Sequence, residues 1–161
     1  MSLKTTLIRL MTGMVILAIV LILSFALSLP AIERWGATDE EVATTQPGDE
    51  LLPDPIIIWT NSITIDAHPA EVWPWIAQIG DTRGGFYSYT FIENRVGSIT
   101  GATGYNVVYR NASRIVPEWQ NPAPSDEIIQ DTLKIRAVKP GEWLLAEAIP
   151  TDFGWTWLWR L

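Results

Sequence analysis

One carboxylate stands inside a predicted apolar strand and is the first candidate for chemistry. Glu147 interrupts the alternating apolar positions of segment 143–149, and the preceding strand carries Arg136. A carboxylate in an apolar cavity is costly unless it is paired, so Glu147 is predicted either to face solvent or to act as a functional acid with Arg136 as its partner. An enzyme site needs two or more titratable groups in one cavity, and Tyr87 and Tyr89 are the other candidates. This small set favours binding over catalysis.

The sequence contains few residues that could bind a metal or act as a nucleophile. The chain has one histidine and no cysteine, which excludes a multi-histidine zinc site, a disulfide framework and a thiol nucleophile. His68 precedes Pro69 at a predicted helix start, which indicates a capping or turn role. A catalytic role would require a partner that the sequence does not identify. We expect no metal and no cofactor.

Two short motifs resemble known functional patterns. The Arg-Gly-Gly segment 83–85 follows a predicted helix, whereas a phosphate-binding loop places its amides at the beginning of one. Segment 111–113, Asn-Ala-Ser, fits the glycosylation tripeptide, and we interpret the match as chance. Neither motif predicts a site.

The nine tryptophans indicate either a bulky core or an aromatic pocket for a flat or lipidic ligand. Trp73, Trp75 and Ile79 are predicted to pack a helix on the sheet. Tyr and Trp combine apolar area with a polar group that can orient a ligand. The predicted pocket-lining residues are Tyr87, Tyr89, Trp119, Trp155 and Trp157.

An uncharged apolar run of about 20 residues, 10–29, lies between Arg9 and Pro30. A helix of that length covers about 30 Å, the thickness of the hydrocarbon core of a bilayer. The sequence therefore predicts a membrane span, with Trp35 at the headgroup level beyond it. A cleaved signal peptide is the alternative, because Ala26-Leu27-Ser28 loosely fits a cleavage site, although the run exceeds a typical signal core.

The charges on the two sides of this run differ. Lys4 and Arg9 precede it, whereas all 18 acidic residues and the other basic residues follow it. This asymmetry predicts a cytoplasmic N-terminus and a C-terminal domain on the outer face of a single-pass cell-membrane protein. The acidic excess of that domain makes nucleic acid an unsuitable partner.

Further along the chain, composition predicts a linker and then an α+β domain. Ile-rich segments at 56–59 and 63–66 read as strands, and a helix begins at Pro69, is kinked by Pro74 and ends near Gly80. Aromatic residues lead into a short helical stretch containing Ile92 and Val96, followed by an irregular region 97–114. An antiparallel meander is predicted from strands 127–138, 143–149 and 154–161, with the tryptophans of the last strand on one face. The predicted organisation is 1–9 cytoplasmic, 10–29 membrane span, 30–55 juxtamembrane linker and 56–161 folded domain.

Several segments resemble the START-like (SRPBCC) superfamily, in its bacterial membrane-tethered branch often labelled polyketide cyclase/dehydrase-like. The similarity covers about residues 33–161. The segments that carry it are 36–41 (GATDEE), 47–50 (PGDE), 63–67 (ITIDA), 71–76 (EVWPWI), 83–89 (RGGFYSY) and 113–120 (SRIVPEWQ).

This resemblance implies a helix-grip fold, in which a curved antiparallel sheet wraps a long C-terminal helix around an apolar cavity. The sequence ends at Leu161 without that helix. We therefore expect the chain to be truncated relative to intact relatives, with an incomplete cavity.

Three hypotheses of function remain. The first is a membrane-anchored domain that binds a hydrophobic small molecule or lipid in an aromatic-lined cavity. The second is a cyclase/dehydrase-type enzyme, and the third is an interaction module with a vestigial pocket. A convergent set of titratable groups would favour the enzyme, and a missing pocket would favour the module.

Overall fold

The computed structural model describes residues 3–92, 94–95, 110–149 and 154–161. The chain divides into two compact units. The first contains Met1–Thr44 with Pro55–Thr64, and the second contains Thr45–Asp54 with Ile65–Leu161. The predicted linker is therefore shared between the units.

The first unit begins with helix α1, Leu3–Glu33, which is 31 residues long. It is a single N-terminal helix long and apolar enough to span a membrane, and the side chains of its apolar window are unburied. Pro30 lies inside the helix, where its ring nitrogen cannot donate to the carbonyl of Ala26. The helix nevertheless continues for one more turn, so it extends beyond the predicted run at both ends.

Part of the predicted linker forms a short capped helix, α2, Asp39–Ala43. The Thr38 hydroxyl accepts from the Glu41 amide at 3.2 Å, and the Glu41 carboxylate accepts from the Thr38 amide at 2.8 Å. This reciprocal pair is a capping box, which satisfies two amides at the start of the helix. The hydrogen bond from the Thr38 amide, assisted by the hydroxyls of Ser62 and Thr38, lowers the pKa of Glu41.

The strands predicted at 56–59 and 63–66 are wrong. Among the described residues this region has no strand partner. Two amides between the predicted strands instead bond to the end of α1 and the residues after it. Thr60 donates to the Glu33 carbonyl at 2.8 Å, and Ser62 donates to the Trp35 carbonyl at 3.0 Å. The β-branched residues that suggested a strand remain exposed.

The second unit contains helix α3, Pro69–Ala77, with Pro69 in its first turn and Pro74 inside it, as predicted. The helix ends at Ala77, three residues before the predicted Gly80, and Gln78 is its C-cap. Gly80 has a φ of 144° and forms an antiparallel bridge with Gly85, which turns the chain sharply after the helix. A short helical stretch at 90–92 and 94–95 agrees with the prediction. Val96 and positions 97–109 of the predicted irregular region lie outside the described residues.

Four antiparallel strands follow in sequential order, which confirms the meander and the α+β class. They are β1 Glu127–Ile129, β2 Leu133–Lys139, β3 Trp143–Ala148 and β4 Thr156–Arg160. The strand predicted at 127–138 is two strands, because Asp131 adopts a φ of 56° and turns the chain. Aspartate tolerates this left-handed conformation better than most residues. The turn predicted at 150–152 lies outside the described residues.

The core lies on one face of the sheet. Its buried residues are Ile79, Ile128, Ile129, Leu133, Ile135, Leu144 and Ala146, with Trp73, Ile76, Phe86, Val138 and Trp159 packed against them. The predicted packing of Trp73 and Ile79 is confirmed, whereas Trp75, predicted with them, is not among the residues packed against this core.

The segment Thr45–Asp54 contacts part of the opposite face of the sheet. Gly48 lies so close to the buried Leu145 that a Cβ at that position would be 2.7 Å from the Leu145 Cδ1 atom. At the same face the Arg160 guanidinium donates to Gln46 Oε1 at 2.8 Å. Residues predicted to belong to a linker therefore form part of the sheet unit.

Candidate ligand-binding surface

Trp157 and Trp159 of β4 and Trp155, which directly precedes the strand, form a continuous row with Phe86, which we call the aromatic row (Phe86, Trp155, Trp157 and Trp159). Trp157 stacks on Trp159 with ring centroids 4.7 Å apart, and Trp155 lies 6.2 Å from Trp157 on its other side. Phe86 stacks nearly parallel to Trp157 at 6.1 Å. Alternation along the strand places these rings on one face, as predicted.

The aromatic row runs from the core to the surface. Trp159 packs against the core, whereas Trp155 and Trp157 are 37% and 41% exposed. Large aromatic rings that are held by contacts with neighbouring rings and still half-exposed offer apolar area to a ligand. The row therefore has a structural end and an accessible end.

A second aromatic contact contains Tyr87, another predicted ligand-binding residue. Its ring contacts the ring of Trp75 edge to face, with ring centroids 5.6 Å apart. Through Trp75, Tyr87 is in contact with α3. The Tyr87 hydroxyl accepts from Gln78 Nε2 at 2.6 Å. Burial raises the pKa of the Tyr87 hydroxyl, against the opposing effect of the Gln78 hydrogen bond. The phenol is thus protonated at neutral pH, and its O–H can donate to a ligand.

Gln78 organises this region and was missed by sequence reasoning. Its side chain is fully buried, and its Nε2 also donates to the Arg114 carbonyl at 3.1 Å. Its Oε1 accepts from the Val116 amide at 3.0 Å and from Gln120 Nε2 at 3.2 Å. Both ends of the amide are therefore fully used. The only signal in the sequence was an amide side chain between the apolar residues Ala77 and Ile79.

Trp119 and Tyr89 differ from the other predicted ligand-binding residues. Trp119 is half-buried at the end of the 3₁₀ turn Pro117–Trp119, and the adjacent Gln120 donates to the Pro74 carbonyl at 3.2 Å. Tyr89 is 78% exposed. The structure brings Trp155 and Trp157 together, gives Tyr87 a defined hydrogen bond, and leaves Tyr89 on the surface.

Glu147 lies on the face of the sheet opposite the aromatic row. It pairs in register with Thr156, whereas Trp157 pairs with Ala146, and neighbours across a strand share a face. The predicted partner is correct, because Arg136 Nε lies 3.6 Å from the Glu147 carboxylate; Lys134 Nζ lies 3.5 Å from it. The carboxylate is thus half-buried and neutralised by two cations. It does not share a surface with Trp157.

The backbone amides and the guanidinium of the Arg-Gly-Gly loop bond to other residues of the protein. The Gly84 amide donates to the Gln78 carbonyl at 2.7 Å, and the Gly85 amide donates to the Gly80 carbonyl at 2.8 Å. The Arg83 guanidinium binds the Asp126 carboxylate at 2.7 Å. These bonds leave no amide cradle for phosphate in the loop, in agreement with the sequence interpretation.

The Arg83 contact changes the ionisation of Asp126. Partial burial alone would raise its pKa, but the hydrogen bond and charge of Arg83, together with the Ala123 amide, hold the pKa of Asp126 below its usual value. The pair joins the loop after α3 to the residue that precedes β1.

Asp81 is a buried carboxylate that the sequence did not single out. Its Oδ2 accepts from the Gln130 amide at 3.0 Å, and its own amide donates to the Ile128 carbonyl at 2.8 Å. Its Oδ1 has no hydrogen-bond partner among the described residues. Within residues 3–92, 94–95, 110–149 and 154–161, no three carboxylate or imidazole side chains form a metal-binding group.

The two remaining motif residues have structural roles. His68 caps α3, because its Nδ1 accepts from the Ala70 amide at 3.2 Å and its own amide donates to Glu71 at 3.0 Å. The predicted capping role is confirmed. Asn111 accepts from the Tyr87 amide at 2.8 Å and donates to the Ser88 carbonyl at 2.9 Å.

Comparisons with protein-family models, with curated proteins and with solved structures found no match to this chain. The assignment of a function therefore depends on the residues and contacts described above.

Proposed function

We propose that this protein is a membrane-anchored binding protein that holds an apolar small molecule or lipid against the aromatic row. The observation that supports this function most directly is the half-exposed pair Trp155 and Trp157, whose rings contact each other at an interplanar angle of 47°. Trp157 in turn stacks on Trp159, which packs against the core. The protonated hydroxyl of Tyr87 supplies a hydrogen-bond donor that can orient a polar group of the ligand.

The energetics favour an apolar ligand. Covering apolar surface contributes about 25 cal/mol per Å², so shielding two half-exposed indole rings contributes a few kcal/mol. Trp157 is already stacked between neighbouring rings and Trp155 already contacts Trp157, so little side-chain entropy is lost when a flat molecule binds. Catalysis has less support, because Glu147 lies on the opposite face and is neutralised by Lys134 and Arg136.

The anchor in this proposal is α1. The charge difference between its flanks supports a cytoplasmic N-terminus and an outer location for the remaining chain, in which the bilayer is a permanent partner. The resemblance to the START-like (SRPBCC) superfamily supports a helix-grip domain, and the antiparallel meander packed on α3 is compatible with that fold. In this family assignment the aromatic row lines part of the cavity.

Ligand titration followed by tryptophan fluorescence tests the proposal. The full chain in detergent micelles is titrated with a panel of fatty acids, isoprenoids and polyketides. We expect at least one class to change the emission, and we expect Trp157→Ala to weaken its binding by roughly one to two orders of magnitude. Trp155→Ala, at the exposed end of the row, provides a second variant with less effect on packing.

Trp35→Ala is the matched control, because Trp35 belongs to the other unit and is predicted to lie at the edge of the bilayer. Its affinity should equal that of the parent. If no panel member changes the emission, or if both row variants bind as tightly as the parent, the binding function is wrong and an interaction module becomes the better hypothesis.

A further inference from the structure

A short apolar segment of the first unit is unusually exposed. Ile56, Ile57, Ile58 and Trp59, which we call the interfacial segment, are between 61% and 94% exposed. Four consecutive large apolar side chains in water form an unfavourable surface, and such surfaces mark sites of contact with a protein or a membrane. The segment forms no strand that could bury one of its faces.

Hydrogen bonds hold the chain beside this segment against the end of α1. Immediately after Trp59, Thr60 donates to the Glu33 carbonyl at 2.8 Å and Ser62 donates to the Trp35 carbonyl at 3.0 Å. The Trp35 amide in turn donates to Asn61 Oδ1 at 3.2 Å. Three bonds therefore fix the position along the helix axis of the residues that directly follow the segment.

These bonds set the depth of the segment relative to a bilayer. The uncharged run of α1 ends at Leu29, and Glu33 lies four residues later, or about 6 Å at 1.5 Å per residue. The headgroup layer on each side of the hydrocarbon core is roughly 5 to 8 Å thick. A bilayer centred on the uncharged run places Glu33, and the chain bonded to it, within this layer.

Trp35 and a groove lie at the same level. Trp35 is 71% exposed, and tryptophan is enriched at the membrane interface. The groove is mostly apolar and is lined by Ser28, Ala31, Ile32, Trp35 and Asn61. The end of α1 thus presents apolar side chains from two separate parts of the sequence.

We propose that the interfacial segment lies in the boundary between headgroups and acyl chains of the same bilayer that α1 spans. A bilayer is the occupant that the structure favours, because a spanning helix already brings it into contact with the segment. Docking there requires no separate loss of translational freedom, which binding to another protein would require. The inference depends on the membrane anchor of the proposed function.

Depth-dependent quenching tests the placement, and the absence of cysteine makes single labelling straightforward. The full chain carrying Ile57→Cys is labelled with an NBD fluorophore and reconstituted in phosphatidylcholine vesicles. The vesicles contain lipids brominated either near the headgroup or near the end of the acyl chain. Ile56→Cys is a second site, Val15→Cys marks the middle of the span, and Glu142→Cys, on the charged turn before β3, marks water.

We expect the label at Ile57 to emit at shorter wavelength than the label at Glu142. We also expect its quenching by shallow bromines to be about twofold stronger than its quenching by deep bromines, as for groups 5 to 10 Å into the interface. The label at Val15 should show the opposite depth preference.

Unquenched labels at both Ile57 and Ile56, with quenching at Val15, would overturn the proposed placement of the interfacial segment in the bilayer and leave the membrane anchor intact. Unquenched labels at all three positions would refute the anchor together with it. Emission at short wavelength from Ile57 without quenching by either lipid would show that protein, including a second copy of the chain, covers the segment, and would also overturn the proposal.

Discussion

The Gln78 side chain donates to the Tyr87 hydroxyl at 2.6 Å from a fully buried position, so the orientation of a partly exposed side chain of the candidate surface depends on a residue that no ligand can touch. Both ends of the same amide also hold the segment that contains Arg114 and Val116. The orientation of Tyr87 and the path of that segment are therefore coupled.

Removing this amide should destabilise the second unit strongly. Gln78→Ala would leave the Val116 amide and the Arg114 carbonyl without partners and create a cavity, and we expect a loss of about 2 to 4 kcal/mol in the free energy of unfolding. Chemical denaturation of the full chain in micelles measures it. The control is Gln130→Ala, the same substitution at an exposed side chain. Equal stabilities of the two variants would contradict the coupling.

Two glycines with similar backbone angles should respond differently to the same change. Gly36 and Gly141 have φ values of 76° and 81°, but a Cβ on Gly36 would overlap the Ser62 carbonyl, whereas a Cβ on Gly141 has open space. Both alanine variants bear the strain of positive φ, about 1 kcal/mol. Gly36→Ala should in addition disrupt the bond from Ser62 to Trp35. Hydrogen exchange at the Ser62 amide should accelerate in Gly36→Ala and remain unchanged in Gly141→Ala.

The Arg83–Asp126 pair should make stability depend on pH. Because the folded pKa of Asp126 is lowered, its contribution is present above the unfolded pKa of about 3.9 and is lost as the pH falls through the lower folded value. We expect Asp126→Asn to lose about 1 kcal/mol at neutral pH and little once the pH is below the folded pKa of Asp126.

Unfolding at several pH values measures this difference between parent and variant. The control is Asp39→Asn, which removes the partner of Arg34 in a pair whose Asp39 side chain is 95% exposed. It should change stability less than Asp126→Asn at neutral pH. A loss in Asp126→Asn that is as large at low pH as at pH 7 would argue against the assigned ionisation.

The two ends of the aromatic row should separate stability from binding. Trp159→Ala removes a ring packed on the core and should lower the free energy of unfolding by about 3 kcal/mol or more. Trp155→Ala removes a more exposed ring and should lower it by much less while weakening ligand binding. Denaturation and ligand titration of both variants provide the two measurements. Similar losses of stability would mean that the row has no accessible end.

Orientation in the membrane can be tested by protease added to intact cells, or to spheroplasts if an outer membrane is present. The asymmetry of Lys4 and Arg9 predicts digestion of residues 31–161 and protection of the extreme N-terminus. A tag at each end, detected by immunoblotting, distinguishes the fragments. Digestion only after lysis would reverse the predicted orientation.

Local patterns predicted the elements that the structure confirms. The apolar run of α1, the prolines of α3 and the alternation of β4 depend on periodicity within one segment. The pairing of Glu147 with Arg136 was also predictable, because the two residues stand on strands joined by a short turn.

The failures depend on partners distant in the chain. The Ile-rich segment at 56–59 has the composition of a strand, but strand formation requires a neighbouring strand, and here the adjoining amides bond to the end of α1. Gln78 and Asp81 contact residues 36 and 49 positions away. No local pattern indicates which distant carbonyl or amide a buried polar side chain will meet.

The sequential order of the four strands affects how the sheet can assemble. Each strand pairs with the one before it, so each pairing closes only a short loop and has a small entropic cost. Contacts of low sequence separation form early during folding, and here they can form in the order in which the chain is synthesised. β4 is synthesised last of the four, so its tryptophans can pack on a surface that the first three strands have already built.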